Sequence, residues 1–177
     1  MPRYVAFLRA INVGGHVVKM DRLKAVFESA GHARVETFIA SGNVVFESRS
    51  TATAKLERAI EKALEKALGY EVATFIRTDE EVAAIALLQP FAPEAVKAAR
   101  AFSVGFLSEP LGREGEKILM GMRTSIDDFR VHGREVYWLC QTGQSDSTFS
   151  NVRFEKAVKV KATYRGMNTI QRLAAKF

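Results

Sequence analysis

The sequence is poor in the residues that build metal, redox and disulfide chemistry. One cysteine in 177 residues, Cys140, excludes an internal disulfide framework and any CxxC metal or redox motif. The three histidines, His16, His32 and His132, lack metal-ligand spacing, so no metal site and no cofactor are expected. No run reaches the roughly 18 apolar residues of a membrane span. The start, Met1-Pro2-Arg3, has no apolar core of the signal-peptide kind. These absences predict a cytoplasmic protein with no membrane partner. The G-x-S-x-G nucleophile elbow is missing as well.

What is present is a normal globular balance: 47% hydrophobic and 26% charged residues exclude wholesale disorder and a coiled-coil rod. The length allows one large domain or two small ones. The charge is unevenly placed. The last 27 residues hold seven cations, Arg153, Lys156, Lys159, Lys161, Arg165, Arg172 and Lys176, against Glu155 alone, so they carry the whole +6 excess. A basic cluster of this kind attracts phosphate, although solvated domain surface has the same composition.

Periodicity predicts an α+β chain. Strands are expected at 4–9, 35–39, 44–47 and 72–77, with helices at 21–30 and from Thr53 to a stop at Gly69. That order, βαββαβ, is the split βαβ unit of ferredoxin-like domains. Thr78-Asp79-Glu80-Glu81 reads as a capping box opening a further helix. Gln89-Pro90-Phe91-Ala92-Pro93 then breaks the chain. The order repeats in strands at 102–107, 128–131, 135–140 and 160–165 and helices at 116–122 and 154–158. Asn168-Thr169-Ile170-Gln171 repeats the cap before a closing helix. The expected domains are 1–90 and 91–177, two tandem ferredoxin-like subdomains with antiparallel sheets. Residue matches support duplication: Ala6-Phe7-Leu8 with Gly105-Phe106-Leu107, Gly42–Phe46 with Gly133–Tyr137, Glu65–Leu68 with Glu155–Val158, and Ala73-Thr74-Phe75 with Ala162-Thr163-Tyr164. The runs Val44–Phe46 and Val136–Leu139 do not alternate, so both sheet faces are expected to be covered, by the other half or by a second chain.

Three stretches carry a family resemblance: Tyr4–Gly15, Lys19-Met20 and Ile39–Phe46. The chain resembles, over essentially its whole length, the bacterial family catalogued as domain of unknown function 1697. The resemblance implies two ferredoxin-like subdomains and brings no activity with it. Relatives of this kind usually carry Ser-Lys-Leu where this chain has Ser147-Thr148-Phe149, and Thr-x-Arg-Asn-Trp-Asn-Thr where it has Thr163–Thr169. Arg165, Asn168 and Thr169 are retained. The lysine, the first asparagine and the tryptophan are not.

The candidate ligand-binding residues lie at strand ends. The loop Asn12-Val13-Gly14-Gly15-His16 can present backbone amides to a phosphate, with Arg9 and Lys19 supplying charge, although it matches neither GxxxxGK[ST] nor GxGxxG. Ser41, Gly42 and Asn43 fall on the same predicted sheet edge. The second-half counterpart lies near Arg134 and Arg165, and Asn168 is a further candidate. The ordinary explanation of these residues is turn and cap chemistry. Three function classes follow: a non-catalytic binder of an anionic ligand (nucleotide, phosphorylated metabolite or nucleic acid), an enzyme on a small phosphorylated or acidic substrate in a cleft between the halves, and an interaction protein that forms a homodimer. The binder is favoured, because no base–nucleophile pair is identifiable.

Overall fold

A computed structural model describes residues 1–11, 15, 17–39 and 42–177. The first run of elements is β1 (Arg3–Leu8), α1 (Met20–Ser29), β2 (Ala33–Thr37), β3 (Asn43–Glu47), α2 (Thr53–Leu68) and β4 (Thr74–Thr78). Two helices follow, α3 (Asp79–Leu87) and α4 (Pro93–Ala98). The second run is β5 (Ala101–Leu107), α5 (Gly112–Met120), β6 (Asp127–His132), β7 (Glu135–Cys140), α6 (Asn151–Val158) and β8 (Ala162–Gly166), closed by α7 (Met167–Ala174). The chain divides into two compact units, Met1–Ile85 with Leu173–Phe177, and Ala86–Arg172. Each holds one four-stranded antiparallel sheet, in the orders β2-β3-β1-β4 and β6-β7-β5-β8. This is the expected α+β architecture of two tandem ferredoxin-like subdomains.

In the first unit one sheet face packs on the helices. Tyr4, Ala6, Leu8, Val44, Phe46 and Ile76 meet Leu23 and Phe27 of α1 and Leu56, Ile60 and Leu64 of α2 in one core. The four-residue spacing on α2 places its three leucine and isoleucine side chains on a single stripe. Gly69, at φ +85°, ends that helix in the left-handed conformation that glycine adopts without strain. In the second unit Leu107, Leu119, Phe129, Trp138, Phe149 and Phe154 are the equivalent core. The opposite sheet faces are buried too: Val5, Phe7, Val45 and Phe75 in one unit, Val104, Phe106, Tyr137 and Leu139 in the other. The residues of both apolar runs are therefore buried on both sheet faces, as their lack of alternation predicts.

The strand register corrects the residue matches between the halves. Phe7 faces Asn43 and Phe106 faces Glu135, so Val44, Val45 and Phe46 correspond to Val136, Tyr137 and Trp138. The expected alignment of Gly42–Phe46 with Gly133–Tyr137 is one residue out. A slip of one reverses every side chain between faces, and burial of Phe46 and Trp138 against helices decides the matter. Leu8 faces Thr74 and Leu107 faces Ala162, which equates Arg77 with Arg165. Both arginines donate from Nη1 to the carbonyl oxygen of the preceding residue, at 2.9 Å in each case.

The capping box is formed as expected: the Thr78 amide donates to Glu81 Oε2 at 2.8 Å and the Glu81 amide to Thr78 Oγ1 at 3.0 Å. Its predicted copy is not. α7 starts at Met167, one residue before Asn168, which lies inside the first turn. Likewise Thr53 is the first residue of α2 and makes no side-chain cap. Pro93 opens α4 at its first turn, where a missing amide costs nothing, so part of the expected break is a helix.

Candidate functional site

The first candidate site is the sheet edge at the end of β1 and the start of β3. Antiparallel pairing brings these ends together: the Leu8 amide donates to the Gly42 carbonyl at 2.7 Å. Asn12, Gly14 and Ser41 lie outside the described residues. Gly15 is exposed at φ +83°. Lys19 is exposed and its carbonyl accepts the Leu23 amide at the start of α1. Arg9 is half-buried, and its amide donates to Ala73 O. Asn43 is buried, and its Nδ2 donates to the carbonyls of Phe38 at 3.1 Å and Ile39 at 3.4 Å. Its carboxamide thus spans the turn between β2 and β3, the ordinary turn role.

A second candidate place carries no sequence motif. A cleft of about 810 Å³ opens in the second unit. Its walls come from the end of α3 and the segment between it and β5, from the start of α7, and from Gln144 in a 3-10 turn after β7. Lys97 and Arg100, both exposed, supply two cations; Gln89, Gln144, Asn168 and Gln171 supply four carboxamides. Leu88, Pro90, Phe91, Phe102 and Met167 supply apolar surface. No carboxylate and no histidine is among its described lining residues. The volume falls within the roughly 300–1,000 Å³ of small-molecule sites.

Several contacts hold this wall in place. Gln144 Nε2 donates to Ser103 Oγ at 2.6 Å, across the floor formed by β5. The loop carrying Gln144 is tied to buried Asp127, whose Oδ2 accepts Ser147 Oγ at 2.6 Å and whose Oδ1 accepts Trp138 Nε1 at 2.8 Å. Phe91 is buried edge-on to Phe102, with centroids 5.7 Å apart, and the Arg130 guanidinium carbon lies 4.9 Å from its ring centroid.

Of the expected second-half residues, Asn168 lines this cleft and Arg165 is its near neighbour in the chain, one residue before lining Gly166. Arg165 Nη1 donates to Thr163 Oγ1 at 3.0 Å as well as to Tyr164 O, and burial lowers its pKa to about 10, so it stays cationic at neutral pH. The residues missed by sequence reasoning are Lys97, Arg100 and the glutamines. Their signal was the Gln89–Pro93 segment, which looks like a domain linker until α4 folds beside it. Among the described residues there is no group of His, Cys, Asp and Glu able to hold a metal, and no helix long and apolar enough to cross a membrane.

The comparisons with known proteins come down to one family and one fold. The model of the family described as "Protein of unknown function (DUF1697)" matches residues 1–137. The chain belongs to the DUF1697 family. The matched stretch ends before Ser147-Thr148-Phe149 and Thr163–Thr169. Among solved structures, the conserved bacterial protein SP0830 from Streptococcus pneumoniae is similar, with 20% identity and a TM-score of 0.72, covering 99% of this chain and 98% of that one. At that identity the likeness speaks for the fold alone. No curated protein matches this DUF1697 chain.

Proposed function

We propose that this protein is a non-catalytic binder of an anionic small molecule, and that the ligand occupies the cleft of the second unit. The observation that carries the reading is the described lining, with two cations and no carboxylate, around a concave volume of about 810 Å³. A cleft with one sign of charge and apolar walls focuses field on an oppositely charged ligand. Binding rather than catalysis is supported by what lines it. Among its described lining residues the one hydroxyl is Ser103 Oγ, which is buried and already accepts Gln144, and there is no histidine, carboxylate or thiol to activate a nucleophile.

A thermal-shift screen against nucleotides, sugar phosphates and carboxylate metabolites tests this. A ligand at about 100 times its dissociation constant stabilises the fold by roughly 2.7 kcal/mol. The Lys97→Ala/Arg100→Ala double variant is expected to lose that shift, since each charge-assisted contact is worth about 1.5–3 kcal/mol. Arg9→Ala/Lys19→Ala is expected to keep it. The reverse pattern moves the site to the β1–β3 edge of the first unit. No shift with any anion removes the proposal.

A further inference from the structure

The cleft asks for more than a negative charge. Lys97 and Arg100 account for one end of a ligand, but free phosphate or sulfate would leave most of about 810 Å³ unfilled. Phe102, Met167, Leu88 and Pro90 offer apolar surface that a sugar phosphate, hydroxylated throughout, does not match. Gln89, Gln144, Asn168 and Gln171 are among the lining residues, and each carries a planar carboxamide with donor and acceptor side by side. Such groups pair with the edge of a ring that alternates donors and acceptors, as glutamine and asparagine do with adenine. A fatty acid satisfies the cations and the apolar wall but leaves four carboxamides facing methylenes.

We infer that the ligand is a nucleoside monophosphate. This rests on the anion-binding reading of the same cleft. The phosphate lies at Lys97 and Arg100, the base lies against the apolar wall, and the carboxamides take the base edge. Gln144 is the residue best placed to report it, because its amide is held at 2.6 Å from Ser103 Oγ on the cleft floor while its oxygen remains an acceptor for a ring amino group.

Titration calorimetry on the full chain tests the inference with the four ribonucleoside monophosphates, their nucleosides, ribose 5-phosphate and inorganic phosphate. At least one monophosphate should bind tenfold or more tighter than both its nucleoside and ribose 5-phosphate. Gln144→Ala should reduce that preference by about tenfold and leave ribose 5-phosphate binding unchanged. Gln144→Glu, which keeps the size and adds a negative charge, should weaken every phosphate ligand; circular dichroism and melting temperature confirm that both variants fold. Ribose 5-phosphate or phosphate binding as tightly as the best nucleotide overturns the nucleotide inference while leaving the anion site standing. Nucleotide binding that is unaltered by Gln144→Ala and by Lys97→Ala/Arg100→Ala overturns the placement in this cleft. Binding by none of these ligands overturns the inference, and if the wider anion screen also fails, the reading beneath it falls too.

Discussion

Gly105, on the central strand β5, has no room for a side chain. A methyl built there would sit 2.6 Å from Cε2 of Tyr164, its cross-strand partner on β8. Gly105→Ala is therefore expected to cost about 1–3 kcal/mol, the usual penalty for overpacking. Urea denaturation measures it, and a smaller effect in a Tyr164→Ala background identifies the ring as the cause. His32 sits at the same scale of detail. It packs against the rings of Phe27 and Phe46, at 6.2 and 4.9 Å between centroids, and its Nδ1 is buried without a hydrogen-bond partner. Burial disfavours the imidazolium and lowers the pKa below its ordinary 6.5. The unfolded chain then takes up a proton at a higher pH than the folded one. Stability is complete above about pH 6.5 and falls as pH drops through and below that value. His32→Gln should flatten this part of the pH–stability curve; an unchanged slope assigns it to other groups.

At the scale of elements, the outer strands β4 and β8, one in each sheet, show how the fold protects an open edge. The outward amides of β4 are covered by carboxylates: Thr74 N donates to Glu61 Oε2 at 3.2 Å, Ile76 N to Glu57 Oε2 at 2.9 Å and Thr78 N to Glu81 Oε2 at 2.8 Å. In the second unit Ala162 N donates to Glu155 Oε2 at 2.9 Å. Because Ala162 corresponds to Thr74, Glu155 corresponds to Glu61, one helical turn before the Glu65 that sequence matching suggests. Helical charge patterning reads Glu57 and Glu61 as plain solvated surface; they are instead edge covers, which deny the strand to a neighbouring chain. Glu57→Ala should lower stability by about 1.5–3 kcal/mol, the worth of a hydrogen bond to a charged group. It should also raise the aggregation rate on heating, followed by light scattering, while Glu65→Ala leaves both unchanged.

Over the whole molecule, the basic excess of the last 27 residues does not act as one tail. Arg165 is half-buried and hydrogen-bonded inside the second unit, while Lys176 Nζ lies 2.5 Å from Glu36 Oε1 in the first. Arg153, Lys156, Lys159 and Lys161 are exposed on α6 and the turn after it. Cations divided in this way favour a small anion in a cleft over a polyanion laid along a surface. Fluorescence anisotropy with a labelled 20-nucleotide single strand at 150 mM salt is expected to show only the weak binding of nonspecific contacts, about 10⁻⁶ M or weaker. Tight, salt-steep binding would restore nucleic acid as the partner.

The amino-acid sequence by itself determined the two βαββαβ runs, the Thr78–Glu81 cap, the double burial of Val44–Phe46 and Val136–Leu139, and the family, but not α4. These are properties of periodicity and local chemistry, which act over a few residues. Tertiary structure alone decided the register that pairs Arg77 with Arg165 and Phe46 with Trp138. A strand has a period of two, and only long-range packing says which of its faces meets a helix. It also decided the cleft. Lys97, Gln144 and Asn168 are far apart in sequence and have no motif in common. They become neighbours because antiparallel pairing returns β8 and the start of α7 to the same end of β5 that receives the segment after α3.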